Sequence, residues 1–172
     1  MKLMVIGGGG REHAIIKKLK ENPTVEEIYC LPGNGGIAAD AACVPEIGAK
    51  DIPAQVEFAK AHDIDYAVVA PDDPLALGAV DALTEADIPC FGPDKKAAVI
   101  EASKAYSKDL MKKYDIPTAK YELFTDADAA YAYIDSQGAP IVVKADGLAL
   151  GKGVIVAQTV EEAKAAVRSM IE

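Results

Sequence analysis

Four consecutive glycines, Gly7 to Gly10, separate a short apolar run, Lys2 to Ile6 (KLMVI), from a stretch with helical spacing, Arg11 to Lys20, where Ala14, Ile15 and Leu19 stand among charges. A short apolar run, a turn without side chains and an amphipathic period read as strand, turn and helix. The unit then recurs. Val25 to Leu31 reads as a second strand, closed by Pro32-Gly33-Asn34-Gly35-Gly36, and Pro53 to His62 as a helix with proline in its first turn. Asp65 to Ala70 reads as a buried strand, Leu75 to Ala86 as a helix, and Pro89 to Phe91 as a short strand before Gly92-Pro93. Such alternation predicts an α/β fold, a parallel sheet with helices on both faces.

Beyond Gly92 the pattern changes. Asp94 to Tyr114 is helical in character and ends at Ile116-Pro117, and Ala119 to Phe124 reads as a strand. Thr125-x-x-Asp128 offers a cap for a helix to about Gln137, and Thr159-x-x-Glu162 caps a last helix. Between them, Ile141 to Ala145 and Gly153 to Ala157 are β runs joined by a glycine-rich loop rather than by a helix. The expected division is an N-terminal substrate-binding α/β domain over 1–102, a linking helix over 103–116, and an incomplete second unit over 117–172 carrying the loop.

Composition narrows the chemistry. Of 172 residues 51% are hydrophobic and 26% charged, the mix of a globular protein, and the formal net charge is -9. A surface this acidic repels phosphate backbones, so nucleic acid is not expected as a partner. A few local cations still suffice for a small phosphorylated ligand. Cys30, Cys43 and Cys90 are odd in number and widely spaced, and the histidines are His13 and His62. That pattern supports neither a disulfide framework nor a metal site, and a reducing cytoplasmic setting is expected. No apolar stretch is long enough to span a bilayer, so no membrane partner is expected.

Three loops carry chemistry. The glycine turn Gly7 to Gly10 leads into a helix and offers backbone N–H groups to an anion, and a bound phosphate would offset the cost of Arg11 at a helix N-terminus. A dinucleotide fingerprint does not fit. Gly7 and Gly9 would need a third glycine at Glu12, Gly8 and Gly10 one at His13, and the second strand ends in Cys30-Leu31-Pro32 without a carboxylate. The turn therefore reads as a phosphate-binding turn at Gly9, Gly10 and Arg11 or as a tight turn with a solvated arginine, and NAD is disfavoured. His13 reads as a packing or hydrogen-bonding residue, since no partner acid or base is identifiable. Pro71-Asp72-Asp73-Pro74 follows the third strand at its carboxyl end, where open parallel sheets carry ligand contacts. Asp72 there suits ribose hydroxyls or an amine. Asp73 is equally well read as a helix N-cap.

The third loop is Val143-Lys144-Ala145-Asp146-Gly147-Leu148-Ala149-Leu150-Gly151-Lys152-Gly153. Only three residues separate Gly147 from Gly151, Gly153 stands where a P-loop needs Ser or Thr, and strands flank both sides. A flap over a triphosphate fits better, with Lys152 at its tip. Lys144, at the end of an apolar strand, either meets an anion or reaches to water. Lys104 follows Ser103 at a helix start, a place the helix dipole disfavours for a cation. Together the three lysines and the glycine flap point to a nucleotide.

These segments resemble glycinamide ribonucleotide synthetase over essentially the whole chain. The resemblance rests on VIGGGGREHA (Val5 to Ala14), PGNGG (Pro32 to Gly36), PDDPLALG (Pro71 to Gly78) and FGP (Phe91 to Pro93). SKAYSKDLM (Ser103 to Met111) and APIVVKADGLALGKGV (Ala139 to Val154) continue it. GGREHA and VKADGLALGKGV, in this order, are its most specific parts. The resemblance implies a biotin-carboxylase-like, Rossmann-related N-terminal domain followed by part of an ATP-grasp domain. It implies ATP over Lys104, Lys144, Gly147, Leu148, Ala149, Gly151, Lys152 and Gly153, and 5-phosphoribosylamine near Gly9, Gly10, Arg11, Asn34 and Asp72. Glycine would be activated by ATP as an acyl phosphate and attacked by the amine, releasing ADP and phosphate.

Two departures stand out. The family pattern Gly-Pro-Glu is here Ala70-Pro71-Asp72, a shorter carboxylate. Family members are also more than twice this long. The chain is therefore expected to be an N-terminal fragment, inactive alone, with no catalytic or metal-binding residue of its own. The Mg ligands and most of the glycine pocket are expected in the missing part. Competing readings are a non-catalytic ribose-phosphate or nucleotide-binding module and another ATP-grasp enzyme.

Overall fold

The computed structural model describes residues 1–147 and 153–171. It divides into two compact units, Met1–Val99 and Ile100–Glu172.

The first unit is built on a parallel sheet of five strands in the order β3-β2-β1-β4-β5. These are β1 (Lys2–Gly7), β2 (Glu27–Pro32), β3 (Ala42–Cys43), β4 (Tyr66–Val69) and β5 (Cys90–Phe91). Successive strand side chains point to opposite faces, and both faces are covered. Met4 and Ile6 of β1 join Leu31, Ala67 and Val69 against α2 (Ile52–Ala61) and α4 (Ala79–Glu85), which contribute Ala59 and Leu83. Leu3 and Val5 join Ile28, Cys30 and Val68 on the other face, closed by Ile16 of α1 (Gly10–Leu19) and by Ile37 of a 3-10 turn (Ile37–Ala39). This double burial explains why the strands read as near-continuous apolar runs. Each large side chain buried there contributes about 1.5–3 kcal/mol.

Three readings of this unit change. The predicted helix from Leu75 to Ala86 is two helices, α3 (Asp72–Leu77) and α4, hinged at Gly78 with φ +96°. Asp73 does not cap: α3 starts after Pro71 with no side-chain cap, and the Asp73 carboxylate holds the Lys50 ammonium at 2.5 Å. The two-residue edge strand β3 was too short to leave a period in the sequence.

The Asp94 to Tyr114 stretch is also two helices, α5 (Lys95–Ala102) and α6 (Lys104–Lys113). Ser103 interrupts it with extended backbone and accepts the Tyr106 amide hydrogen through its side chain. In the second unit, β6 (Ile141–Lys144) and β7 (Val154–Ala157) form an antiparallel pair. One face, Ile141, Val143 and Ala157, packs on α7 (Ala127–Gln137) and α8 (Val160–Ile171) through Ala130, Ile134, Ala163 and Val167. Val142, Val154 and Val156 on the opposite register positions stay exposed. Ala119 to Phe124 is not a strand: it pairs with no described strand, and an apolar alternation without a ladder partner leaves the backbone irregular. The cap of α7 is Asp126, which accepts the Ala129 amide hydrogen at 2.8 Å, rather than the Thr125-x-x-Asp128 pair. Thr159 caps α8 as predicted, accepting from the Glu162 amide at 3.1 Å.

Candidate functional site

The glycine turn is shaped first by crowding. Gly7 has φ +125°, and a Cβ there would stand 2.7 Å from the Glu12 side chain and 2.8 Å from Pro71. A Cβ on Gly8 would meet the Gly33 carbonyl oxygen at 2.7 Å. These two glycines let the loops after β1, β2 and β4 converge. Parallel register places Gly7 beside Pro32 and Ile6 beside Val69, so all three loops leave the same end of the sheet. Gly9, Gly10, Arg11, Asn34 and Asp72 are thus brought to one edge.

Within that edge the residues differ in what they have free. The Gly9 amide donates to Glu12 Oε2 at 2.6 Å. Glu12 is only 3% exposed, and its Oε1 is buried without a hydrogen-bond partner among the described residues. The protein therefore places its own carboxylate at the α1 N-terminus, using one of the orphan amides and offsetting the helix dipole. Gly10 and Arg11 remain exposed, and the Arg11 guanidinium makes no bond to a described residue. Asn34 is consumed internally. Its Nδ2 donates to the Gly8 carbonyl at 2.7 Å, and its Oδ1 accepts from Gly36 and Ile37 amides at 2.7 and 2.9 Å. Asp72, half-buried in the first turn of α3, has a carboxylate with no described partner.

His13 does have an acid partner, which the sequence reading missed. Its Nε2 lies 2.8 Å from Asp40 Oδ2, while Lys20 Nζ donates to Asp40 Oδ1 at 2.9 Å. The bonds from His13 and then Lys20 hold the Asp40 carboxyl at about 2, well below the usual carboxylate range. The 27-residue separation of His13 from Asp40 matches no local period, so only the meeting of α1 with the loop before β3 reveals the pair.

In the second unit the loop after β6 folds back onto α6. Asp146 Oδ1 accepts the Lys104 and Ala105 amide hydrogens at 2.7 and 3.1 Å, and the Ser103 hydroxyl donates to Oδ2 at 3.1 Å. Partial desolvation raises the Asp146 carboxyl. The amide of Ala105, the Ser103 hydroxyl and the amides of Lys104 and Gly147 outweigh that and hold it below its ordinary value. Lys104 Nζ donates to the Gly147 carbonyl at 2.6 Å. A carboxylate at the helix start thus removes the dipole penalty expected for Lys104. Lys144 is exposed on the open side of the β6–β7 pair, with Val142, Val154 and Val156 at matching register positions. Gly153 is buried and its carbonyl accepts the Ala145 amide hydrogen at 2.8 Å. Leu148, Ala149, Gly151 and Lys152 lie outside the described residues.

Among the described residues no three His, Cys, Asp or Glu side chains gather as a metal site, and no helix is long and apolar enough to cross a membrane.

Known proteins agree with this arrangement. Residues 1–101 match the family model for the phosphoribosylglycinamide synthetase N domain, and residues 102–172 that for its ATP-grasp (A) domain. The chain is 52% identical over 171 residues to the phosphoribosylamine–glycine ligase of Streptococcus suis, covering 99% of this chain and 41% of that protein. It is 50% identical over 172 residues to the Escherichia coli O6:H1 ligase, again 99% of this chain and 40% of the relative. The chain thus spans about 40% of the length of these relatives. The crystal structure of the Thermotoga maritima ligase superposes with a TM-score of 0.71 at 32% identity, over 96% of this chain and 38% of that one. Biotin carboxylase from Campylobacter jejuni shares the fold, with a TM-score of 0.76 at 17% identity over 98% of this chain and 41% of that one. Two family models that follow one another along the chain, with relatives at about half identity over nearly all of it, show that the chain belongs to the phosphoribosylglycinamide synthetase family.

Proposed function

We infer that this chain supplies the sugar-phosphate-binding domain and the first part of the ATP-grasp domain of a cytoplasmic phosphoribosylamine–glycine ligase. The whole enzyme would join glycine to 5-phosphoribosylamine at the expense of ATP, through a glycyl phosphate. The observation that carries the reading is the convergence of three strand-end loops on Gly10, Arg11 and Asp72, whose binding groups stay free while Glu12 and Asn34 fix the loops. Gly10 and Arg11 would take the 5′-phosphate, with Gly9 shaping the turn. Asp72 would accept from a ribose hydroxyl or the amino group. The division is proposed as 1–102 for this domain, 103–116 for a linking helix and 117–172 for the ATP-grasp part.

ATP would lie on the open face of β6–β7, where exposed valines suit a base and the Lys144 ammonium suits a phosphate. Lys104, Gly147 and Gly153, with Leu148, Ala149, Gly151 and Lys152, would frame it. Mg would accompany the triphosphate, but the described residues offer no carboxylate cluster for it. Titration of the chain with ribose 5-phosphate and with NAD tests the first half of the reading. Saturable ribose 5-phosphate binding that Arg11→Ala and Asp72→Asn both weaken is expected; tighter binding of NAD would overturn it.

A further inference from the structure

Backbone conformation does not require a glycine at position 36. Gly36 has φ -74° and ψ -41°, a conformation any residue adopts. A Cβ there would stand 3.2 Å from Asn34 Oδ1 and 3.5 Å from His13 Nδ1. A side chain there would crowd Asn34 Oδ1 and lie against the His13 ring, so glycine keeps the approach to Nδ1 clear, beside the Gly8 carbonyl to which Asn34 is tied. The His13 and Asp40 side chains are 26% and 21% exposed, so the ring is accessible but not freely solvated.

The chemistry of Nδ1 follows from Asp40. Both of its oxygens are engaged, one by His13 Nε2 and one by Lys20 Nζ. An ionised carboxylate only accepts, so the neutral imidazole carries its hydrogen on Nε2 and turns a lone pair on Nδ1 toward Gly36. Nδ1 makes no bond to a described residue.

Resting on the sugar-phosphate reading above, the geometry points to His13 as a substrate-contacting residue whose Nδ1 accepts a hydrogen bond from a sugar hydroxyl seated over Gly36, with Asp40 as the positioning residue that fixes the ring. This contact adds recognition of the sugar to the recognition of the phosphate by Gly10 and Arg11. A phosphate lacking a sugar would gain nothing from it.

The test is nitrogen NMR of the histidine-labelled chain at mildly alkaline pH, with His13→Gln used to separate His13 from His62. The free protein is expected to show the Nε2–H form of His13, and ribose 5-phosphate is expected to move the Nδ1 resonance where inorganic phosphate does not. His13→Gln and Gly36→Ala are each expected to weaken ribose 5-phosphate about tenfold, the loss of one buried hydrogen bond, while leaving inorganic phosphate binding unchanged. Gly36→Ala keeps a permitted backbone conformation but crowds Asn34 Oδ1 at 3.2 Å, so an unchanged thermal unfolding midpoint is required of the variant before its binding is read. An Nδ1–H or doubly protonated ring, or wild-type ribose 5-phosphate affinity in both variants, overturns the proposal. Binding that shifts the Gly10 and Arg11 amides but leaves Nδ1 unmoved overturns it alone. Absence of any ribose 5-phosphate binding overturns the underlying reading, and this proposal with it.

Discussion

Asp146 Oδ1 takes the Lys104 amide hydrogen at 2.7 Å, so the loop after β6 caps a helix that begins 42 residues earlier in the chain. The lysine side chain answers by donating to the Gly147 carbonyl one residue further on. The first turn of α6 and the root of the glycine-rich loop therefore hold each other. The tie turns the Lys104 ammonium onto the backbone of the loop itself.

Asp146→Ala is expected to destabilise the second unit by about 1 kcal/mol, the usual cost of losing a helix N-cap. The midpoint of urea unfolding followed by circular dichroism reads it. Lys104→Met should cost less, since it removes one bond and leaves the cap in place.

Glu12 competes with any anion for the α1 N-terminus. Glu12→Gln keeps an oxygen for the Gly9 amide and removes the charge, so phosphate affinity is expected to rise by about 1 kcal/mol, roughly fivefold. Glu12→Ala loses a buried charge-assisted bond and is expected to destabilise the fold by about 1.5–3 kcal/mol. Phosphate titration of Glu12→Gln and thermal unfolding of Glu12→Ala check the two halves.

Asp40 makes the first unit acid-sensitive in a defined window. Its folded carboxyl titrates at about 2, below the roughly 3.9 of an unfolded aspartate, because His13 and Lys20 bond its charged form. A depressed carboxylate stabilises the fold above the unfolded value, and that contribution is lost as pH falls toward the folded one. Between about pH 4 and pH 2 the wild type should therefore lose stability more steeply than Asp40→Asn, which denaturant midpoints at stepped pH measure.

Gly78 hinges α3 to α4 in the left-handed region, with its nearest neighbours at 3.5 Å or beyond. A methyl group there has room, so Gly78→Ala pays only for its backbone, about 1–2 kcal/mol. Thermal unfolding of this variant, beside Gly10→Ala as an unstrained control, checks the magnitude.

Burial pushes the Cys30 thiol up to about 12, with nearby Cys43 adding to it, and the Cys90 thiol up to about 11. The thiolate is the reactive form, so both should resist alkylation at neutral pH until the chain unfolds. Mass spectrometry after iodoacetamide treatment with and without urea reads this. Rapid native labelling of Cys30 would contradict its placement.

Much of this protein is legible in local sequence. Short apolar runs, Gly33 after β2, and the glycine turn before α1 set the element types, because period and turn chemistry act over a few residues. The doubly buried parallel sheet follows from runs that stay apolar on both faces, as Leu3 to Ile6 do. Where local signals broke down, a neighbour distant in sequence had the deciding effect or was missing. Gly78 and Ser103 each split a helix that the pattern joins. Ala119 to Phe124 has strand-like residues and no ladder to enter. The site divides the same way. That the turns after β1, β2 and β4 carry Gly10, Arg11, Asn34 and Asp72 is written in the chain. That Asn34 is tied up internally while Arg11 and Asp72 stay free is not, because a hydrogen-bond partner 26 residues away is chosen by packing. His13 illustrates the limit: its identity was plain, but its chemistry depends on Asp40, and only the tertiary fold brings a carboxylate to within 2.8 Å of its ring.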